Sequence, residues 1–312
     1  MNKKLRLALL AGGKSGEREV SLAGARGVLA ALDKEKYEVR QYDPAVDLAR
    51  LAQDAAELDV AFILLHGPLG EDGSVQGFLD LLGLPYQGSG VLGSAMAMNK
   101  NMAKILYRQA GLRVAEWRMA SPQDMIDPAS LAAGLRFPVV VKPVAQGSSL
   151  GMSIVRDGDG LAAGLRQAFG YDKEVMVEEF IRGREITGGV LGNDSLQALP
   201  LVEIIPNKEY AFFDYEAKYK AGASREICPA DFSAEITGKA QDYAVRAHRA
   251  LRLRGYSRTD MIVSEQGEVF VIETNTIPGM TPTSLLPQAA LAAGFSFPQL
   301  LDLLIGLALA QR

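Results

Sequence analysis

Two periodicities alternate along the first hundred residues. Apolar runs at 5–10, broken only by Arg6, and at 60–65 are separated by stretches of helical spacing at 20–32 and 74–82. A strand that is apolar at every position is buried on both faces. Strands of that kind spaced by helices imply a parallel sheet covered on both sides. Beyond it, a helix is expected over 100–110 and strands over 137–142 and 175–180. From 185 onward strands dominate, and a polar, aromatic stretch at 206–222 reads as a mobile loop. Two apolar runs, 261–263 and 269–272, flank Ser264-Glu265-Gln266-Gly267 and read as a β-hairpin. The tail LLDLLIGLALA reads as a packed terminal helix, far short of a membrane span. The expected division is an N-terminal α/β domain over 1–97, a central lobe over 98–184 and a C-terminal lobe over 185–312.

Composition narrows the class. The chain has 312 residues, 48% hydrophobic and 22% charged, enough for a large core in two or three domains. A net charge of -4 gives no nucleic-acid footprint, so neither nucleic acid nor a membrane is an expected partner. Cys228 is the single cysteine; no intrachain disulfide forms, and a reducing cytoplasm fits. The start, MNKKLRLALLAGG, has the basic and apolar parts of a signal peptide. Its apolar run is too short and ends in a glycine turn without a cleavage pattern.

The hairpin carries the first chemistry. Residues two apart in a strand share a face, so Glu273 and Asn275 point the same way and Asp260 reaches that face from the partner strand. Two carboxylates and an amide oxygen suit Mg²⁺ with bound phosphates; a solvated edge with ordinary acids is the alternative. Three glycine-rich stretches compete for a nucleotide. AGGKS resembles the end of a P-loop, but Ala8 stands where that pattern needs glycine. GSGVLG at 88–93 fits the dinucleotide pattern literally, yet lacks a preceding strand and a following acid. An NAD-dependent oxidoreductase would rest on that motif alone. The third, a strand delivering Lys142 into VAQGSSLGM, offers a cation, backbone N–H groups and hydroxyls to phosphates. Lys100 is a second candidate cation. Glu178 and Glu179, at the end of 175–180, are placed to hold ribose hydroxyls.

Together, Lys142 with GSSLGM, EEFIRGRE, and RTDMIV with VIETNTIPGMTPTSLLP resemble the ATP-grasp ligases, specifically the D-alanine–D-alanine ligase family. AGGKSGEREVSL, LLHGPLGEDG and DYEAKY match as well, so the resemblance spans nearly the whole chain. It implies a cytoplasmic, homodimeric enzyme of peptidoglycan-precursor synthesis. The implied fold is an N-terminal parallel-sheet α/β domain followed by a two-lobed ATP-grasp. The implied reaction joins two D-alanines through an acyl phosphate, with ATP as co-substrate and two Mg²⁺ or Mn²⁺ ions as cofactors.

By resemblance, Lys100 and Lys142 contact nucleotide phosphates, and Glu178, Glu179, Phe180, Ile181 and Glu185 bind adenine and ribose. Asp260, Glu273 and Asn275 hold the metal ions. Arg258 and the N–H of Gly279 act on the oxyanion, and Glu17, held through Ser148 and Tyr219, binds the first D-alanine's ammonium. His66 lies beside the first substrate, Lys218 with Tyr219 sits in the mobile loop, and Ser284 receives the second carboxylate. Structural readings stand beside these: a helix N-terminal acid for Glu17, a packed histidine for His66, an N-cap for Ser284. A ligase for another carboxylate and amine, or a non-catalytic ATP-binding regulator, would share much of this set.

Overall fold

The computed structural model describes residues 3–125, 127–207 and 224–310. Most of the stretch expected as a mobile loop, with Lys218 and Tyr219, lies outside them. Three sheets are present among the described residues. The first has strands β1 (Leu5–Leu10), β2 (Tyr37–Tyr42) and β3 (Val60–Ile63), all parallel, in the order β2-β1-β3. Leu7, Leu9 and Phe62 face one core, and Ala8, Leu10 and Ile63 the other. That two-sided burial is why β3 reads as an unbroken apolar run and β1 as one broken only by Arg6. Helix α1 (Arg18–Ala31) covers one face; α2 (Leu48–Asp54) and α3 (Ser74–Leu81) cover the other. Strand β2 was not expected from the sequence: at the sheet edge it keeps Glu38 and Gln41 exposed, which hides its strand character.

Helices α4 (Val91–Met98) and α5 (Lys100–Gln109) follow. Residues 88–90 form the turn into α4 and 91–93 its first turn, and only an isolated bridge from Tyr86 to Ala61 precedes them. The dinucleotide pattern therefore lacks the strand it requires. The second sheet holds β4 (Trp117–Ala120), β5 (Val139–Pro143), β6 (Ser153–Val155) and β7 (Val175–Glu179), antiparallel in the order β4-β7-β5-β6. The short helix α6 (Pro128–Leu131) and α7 (Gly158–Phe169) pack on one face of it.

The third sheet runs β11-β10-β8-β12-β13, with β9 paired to β8. Its strands are β8 (Gly183–Gly192), β9 (Gln197–Ala198), β10 (Val202–Pro206), β11 (Ser224–Ile227), β12 (Gly255–Ser264) and β13 (Val269–Asn275). Helix α8 (Ala234–Ala250) lies against it so closely that a Cβ on Gly188 would come within 2.9 Å of the Ala244 methyl. The expected β12–β13 hairpin is present, closed by Ser264 N–H to Glu268 C=O at 2.8 Å.

Two segments pack away from their sequence neighbours. Helix α5, expected with the central lobe, lays Ala103 and Tyr107 against Val271 and Ala244 of the third unit, because its apolar stripe matches the core side of β13. The final helices, α9 (Leu285–Ala292) and α10 (Phe297–Leu309), return to the first sheet, where Leu286, Leu300 and Leu304 meet Leu7 and Phe62. The terminal helix is thus packed, as expected. No single helix among the described residues is long and apolar enough to cross a membrane.

His248 ties α8 to β12: it is 1% exposed and its Nδ1 lies 2.8 Å from Ser257 Oγ. Burial holds its pKa down at about 4. The unfolded chain takes up a proton near 6.5 that the folded chain refuses until about 4, so this stability is whole above 6.5 and drains as pH falls. Wild-type unfolding free energy should drop by about 3 kcal/mol between those pH values. His248→Gln should lack that slope in pH-resolved urea denaturation; an unchanged slope would contradict it.

Candidate active site between the two antiparallel sheets

The β12–β13 hairpin supplies the site's charged face. In β12, Met261 and Val263 enter the core while Asp260 and Ile262 line the cleft toward the second sheet, as simple alternation requires. In β13, Val269 and Val271 also enter the core, so alternation alone would send Glu273 and Asn275 after them. A register shift intervenes. Asp260 pairs with Glu273 but Met261 with Val271, leaving Ile272 as the extra residue of a β-bulge. The bulge reverses the faces, so Ile272 and Glu273 both line the cleft while Thr274 turns inward to the Tyr107 hydroxyl at 2.8 Å. Asp260, Glu273 and Asn275 are brought together as expected: Asn275 Nδ2 donates to Asp260 Oδ2 at 3.0 Å.

The cleft, of ≈ 130 Å³, gathers Lys100, Lys142, Glu178, Glu179, Phe180, Ile181, Glu185, Asp260 and Glu273. On its opposite wall, Val139 and Val141 of β5 are core, and Val140 and Lys142 face the cleft. Lys142 Nζ donates to Glu178, which also accepts from Lys104 Nζ at 2.7 Å. Burial would push the Glu178 carboxyl up, but the two ammonium groups outweigh it and hold it at about 2. Glu179 is drawn below the usual carboxylate range by Arg136, whose Nη2 lies 2.9 Å from it. Both acids are thus paired with cations while they line the cleft. The loop 144–152 is pinned: Lys100 Nζ donates to the Gln146 carbonyl at 2.7 Å, and the Ala145 N–H to Asp172 at 2.7 Å.

A second chamber, ≈ 510 Å³, adjoins the cleft and is lined by Glu17, His66, Glu71, Ser148, Arg258, Asn275, Gly279 and Ser284. Ser148 Oγ donates to Glu17. A Cβ on Gly147 would lie 2.8 Å from Glu17 Oε2, so glycine permits this approach. Glu17 does stand at the N-terminus of α1, yet its side chain makes no cap bond there. Ser284 likewise precedes α9 without capping it; its Oγ turns back to Thr281 Oγ1 at 2.8 Å. His66 Nδ1 lies 3.1 Å from the Ile277 carbonyl, which can only accept, so Nδ1 carries the proton. Burial lowers its pKa, opposed by Glu17, and keeps the ring neutral.

Two participants had no distinct sequence signal. Lys104 is one of many helical lysines until its burial opposite Glu178 is seen. Glu71 lies within the quoted LLHGPLGEDG without being singled out. Its oxygens accept from Gly67 N–H at 2.8 Å and Ile277 N–H at 3.2 Å, so Glu71 and His66 hold the peptide groups on either side of the Ile277 Cα. Burial, with Glu17 nearby, pushes its carboxyl up to about 8.

Comparison with known proteins then decides the family. A family model described as "D-ala D-ala ligase C-terminus" matches residues 106–306, and its N-terminal counterpart matches 44–89. The chain belongs to the D-alanine–D-alanine ligase family. A D-alanine–D-alanine ligase of Desulfotalea psychrophila is 59% identical over 98% of this chain and 95% of its own length. One from Syntrophobacter fumaroxidans is 60% identical over 98% of both. Among solved structures, the ATP complex of the Bacillus anthracis D-alanine–D-alanine ligase superposes with TM-score 0.85 at 34% identity, covering 98% of both chains. The VanG D-Ala:D-Ser ligase of Enterococcus faecalis gives 0.86 at 32% identity over 98% of this chain and 100% of its own. The two antiparallel sheets facing one cleft are the family's ATP-grasp fold.

The donor set suits a divalent cation. No group of three or more His, Cys, Asp or Glu side chains that could hold a metal occurs among the described residues. Two carboxylates and an amide do share one face, beside the lysines, and magnesium is commonly held by one or two carboxylates with phosphate oxygens completing its shell. Glu178→Gln should show what the buried triad contributes. It leaves Lys104 and Lys142 facing each other without an acid, at a cost of about 3–5 kcal/mol in urea denaturation. A loss under about 1 kcal/mol would contradict that pairing.

Proposed function

We propose that this chain condenses two D-alanines to D-alanyl-D-alanine at the expense of ATP, through an acyl phosphate, for peptidoglycan synthesis. One observation carries the reading: the same hairpin face lines both cavities, with Asp260 on the nucleotide cleft and Arg258 two residues away on the substrate chamber. A carboxylate does not condense with an amine at neutral pH, so it must first be activated. Transfer of the γ-phosphoryl group to the first D-alanine requires positioning and neutralisation of the phosphoryl oxygens. Lys100, Lys142 and Arg258 supply positive charge there. Two divalent cations, Mg²⁺ or Mn²⁺, held by Asp260, Glu273 and Asn275 would add to that neutralisation. Glu178, Glu179, Phe180, Ile181 and Glu185 form the wall for the adenosine end.

In the chamber, Glu17, oriented by Ser148, takes the first D-alanine's ammonium. With Nδ1–H committed to Ile277, the neutral His66 keeps Nε2 as an acceptor beside that substrate. When the second amine attacks, the oxyanion receives donors from Arg258 and the Gly279 N–H. Ser284 receives the second carboxylate, and Lys218 is a further substrate-binding residue. Tyr219 joins the Glu17–Ser148 pair, and its presence favours D-alanine over D-lactate as second substrate. Lys218 and Tyr219 lie outside the described residues. A cytoplasmic homodimer completes the reading, carried over from the family.

Product analysis with ATP, Mg²⁺ and D-alanine should give D-alanyl-D-alanine, ADP and phosphate. The likeness to a D-Ala:D-Ser ligase makes D-serine the competitor to include; a mixed product in excess would overturn the choice of second substrate. Arg258→Ala should lose roughly two or more orders of magnitude in rate, one oxyanion donor being worth about 3–4 kcal/mol. A rate near wild type would remove Arg258 from the reaction.

A further inference from the structure

Ser284, which the proposed reaction places on the second carboxylate, is tied to its neighbours twice over. Gly279, Thr281 and Thr283 line the substrate chamber beside it. The turn between Thr281 and Ser284 is closed by the Ser284 N–H, which donates to the Thr281 carbonyl at 2.9 Å. In return, the Thr281 N–H donates to Ser284 Oγ at 3.1 Å, and Thr281 Oγ1 lies 2.8 Å from the same oxygen. The exposed Thr283 places its Oγ1 3.3 Å from Thr281 Oγ1. Three hydroxyls thus form a row, Thr283 to Thr281 to Ser284. Gly279 leaves room for its end: a Cβ there would lie 3.0 Å from Ser284 Oγ.

We propose that Thr281 is a positioning residue for the second substrate, its N–H and hydroxyl together holding the Ser284 hydroxyl as a donor to the substrate's carboxylate. The inference rests on the reading of Ser284 as that carboxylate's partner. A serine hydroxyl has one proton and two lone pairs. The Thr281 N–H fills one lone pair and the Thr281 hydroxyl fills the other, so the Ser284 proton is left for a third group. A carboxylate only accepts, and it takes that proton. The opposite arrangement, with Ser284 donating to Thr281, would turn a lone pair toward the anion and repel it. Entry of the carboxylate therefore selects the first arrangement. In it Thr283 donates to Thr281 in turn, and donors aligned in a row strengthen one another.

The two bonds that involve the Thr281 backbone do not need its side chain. Thr281→Val therefore removes the hydroxyl and keeps the turn. Collapse of the turn would displace the Gly279 N–H, proposed for the oxyanion, and slow the chemical step. Loss of the hydroxyl alone weakens capture of the second carboxylate and leaves that step intact.

The test is the dependence of initial rate on D-alanine concentration, with the full chain at saturating ATP and Mg²⁺, resolved into Michaelis constants for the first and second D-alanine. Thr281→Val should raise the second constant about tenfold, the effect of weakening one hydrogen bond to a charged group. The first constant and kcat should stay within about twofold of wild type. Thr281→Ser, which keeps the hydroxyl, should restore the second constant. Ser284→Ala should raise that constant at least as far, and adding Thr281→Val to it should raise it no further, because Thr281 acts only through Ser284. The proposal is overturned if Thr281→Val leaves the second constant unchanged or lowers kcat instead, if Thr281→Ser fails to restore it, or if the two changes multiply. A wild-type second constant in Ser284→Ala would remove Ser284 from the carboxylate, and the proposal with it. Wild type that forms no dipeptide would instead sink the proposed reaction.

Discussion

Charge removed from water must find a partner, and the site is organised around that requirement. Glu178 lies between Lys104 and Lys142, Asp260 faces Arg258, and Glu273 faces Lys100, all at the junction of the two antiparallel sheets. An isolated buried ion costs far more than a fold of this size can spare, whereas the paired set is tolerated. The cleft therefore holds charges of both signs without destabilising the protein that carries them. Apolar walls around them, Val140, Ile154, Ile262 and Ile272, keep the dielectric low and each charge effective.

Backbone geometry decides where those charges point. The single extra residue at Ile272 lets β13 give Val269 and Val271 to the core and then Glu273 to the cleft. Past the strand end, His66 and Glu71 hold the two peptide groups that flank the Ile277 Cα and so set the entry of the loop bearing Gly279 and Ser284. The return of α9 and α10 to the first sheet gives that loop a second fixed end. Chamber and cleft are consequently built on the same two strands rather than on independently moving parts.

Much of this was legible from the chain alone, for identifiable reasons. Strands β1 and β3 announced themselves because both faces are buried, and the hairpin because turn residues separate two apolar runs. The shared face of Glu273 and Asn275 followed from alternation, although the bulge that aims it did not, since nothing local distinguishes Ile272 from its neighbours. Edge strand β2 was missed for its exposed charges. Lys104 and Glu71 were missed because their importance lies in partners 74 and 206 residues away, which no local pattern encodes. For the same reason the lysine and arginine partners of Glu178 and Glu179 appear only in three dimensions.

In the proposed reaction the amino-acid carboxylate and the γ-phosphoryl group meet across the hairpin face. The most direct measurement uses D-alanine labelled with ¹⁸O in its carboxylate, followed by mass analysis of the phosphate released during turnover with ATP and Mg²⁺. Passage through an acyl phosphate transfers a carboxylate oxygen to that phosphate, so label should appear in it in step with dipeptide formation. Dipeptide formed with unlabelled phosphate would mean that the two groups never joined, and would contradict the account.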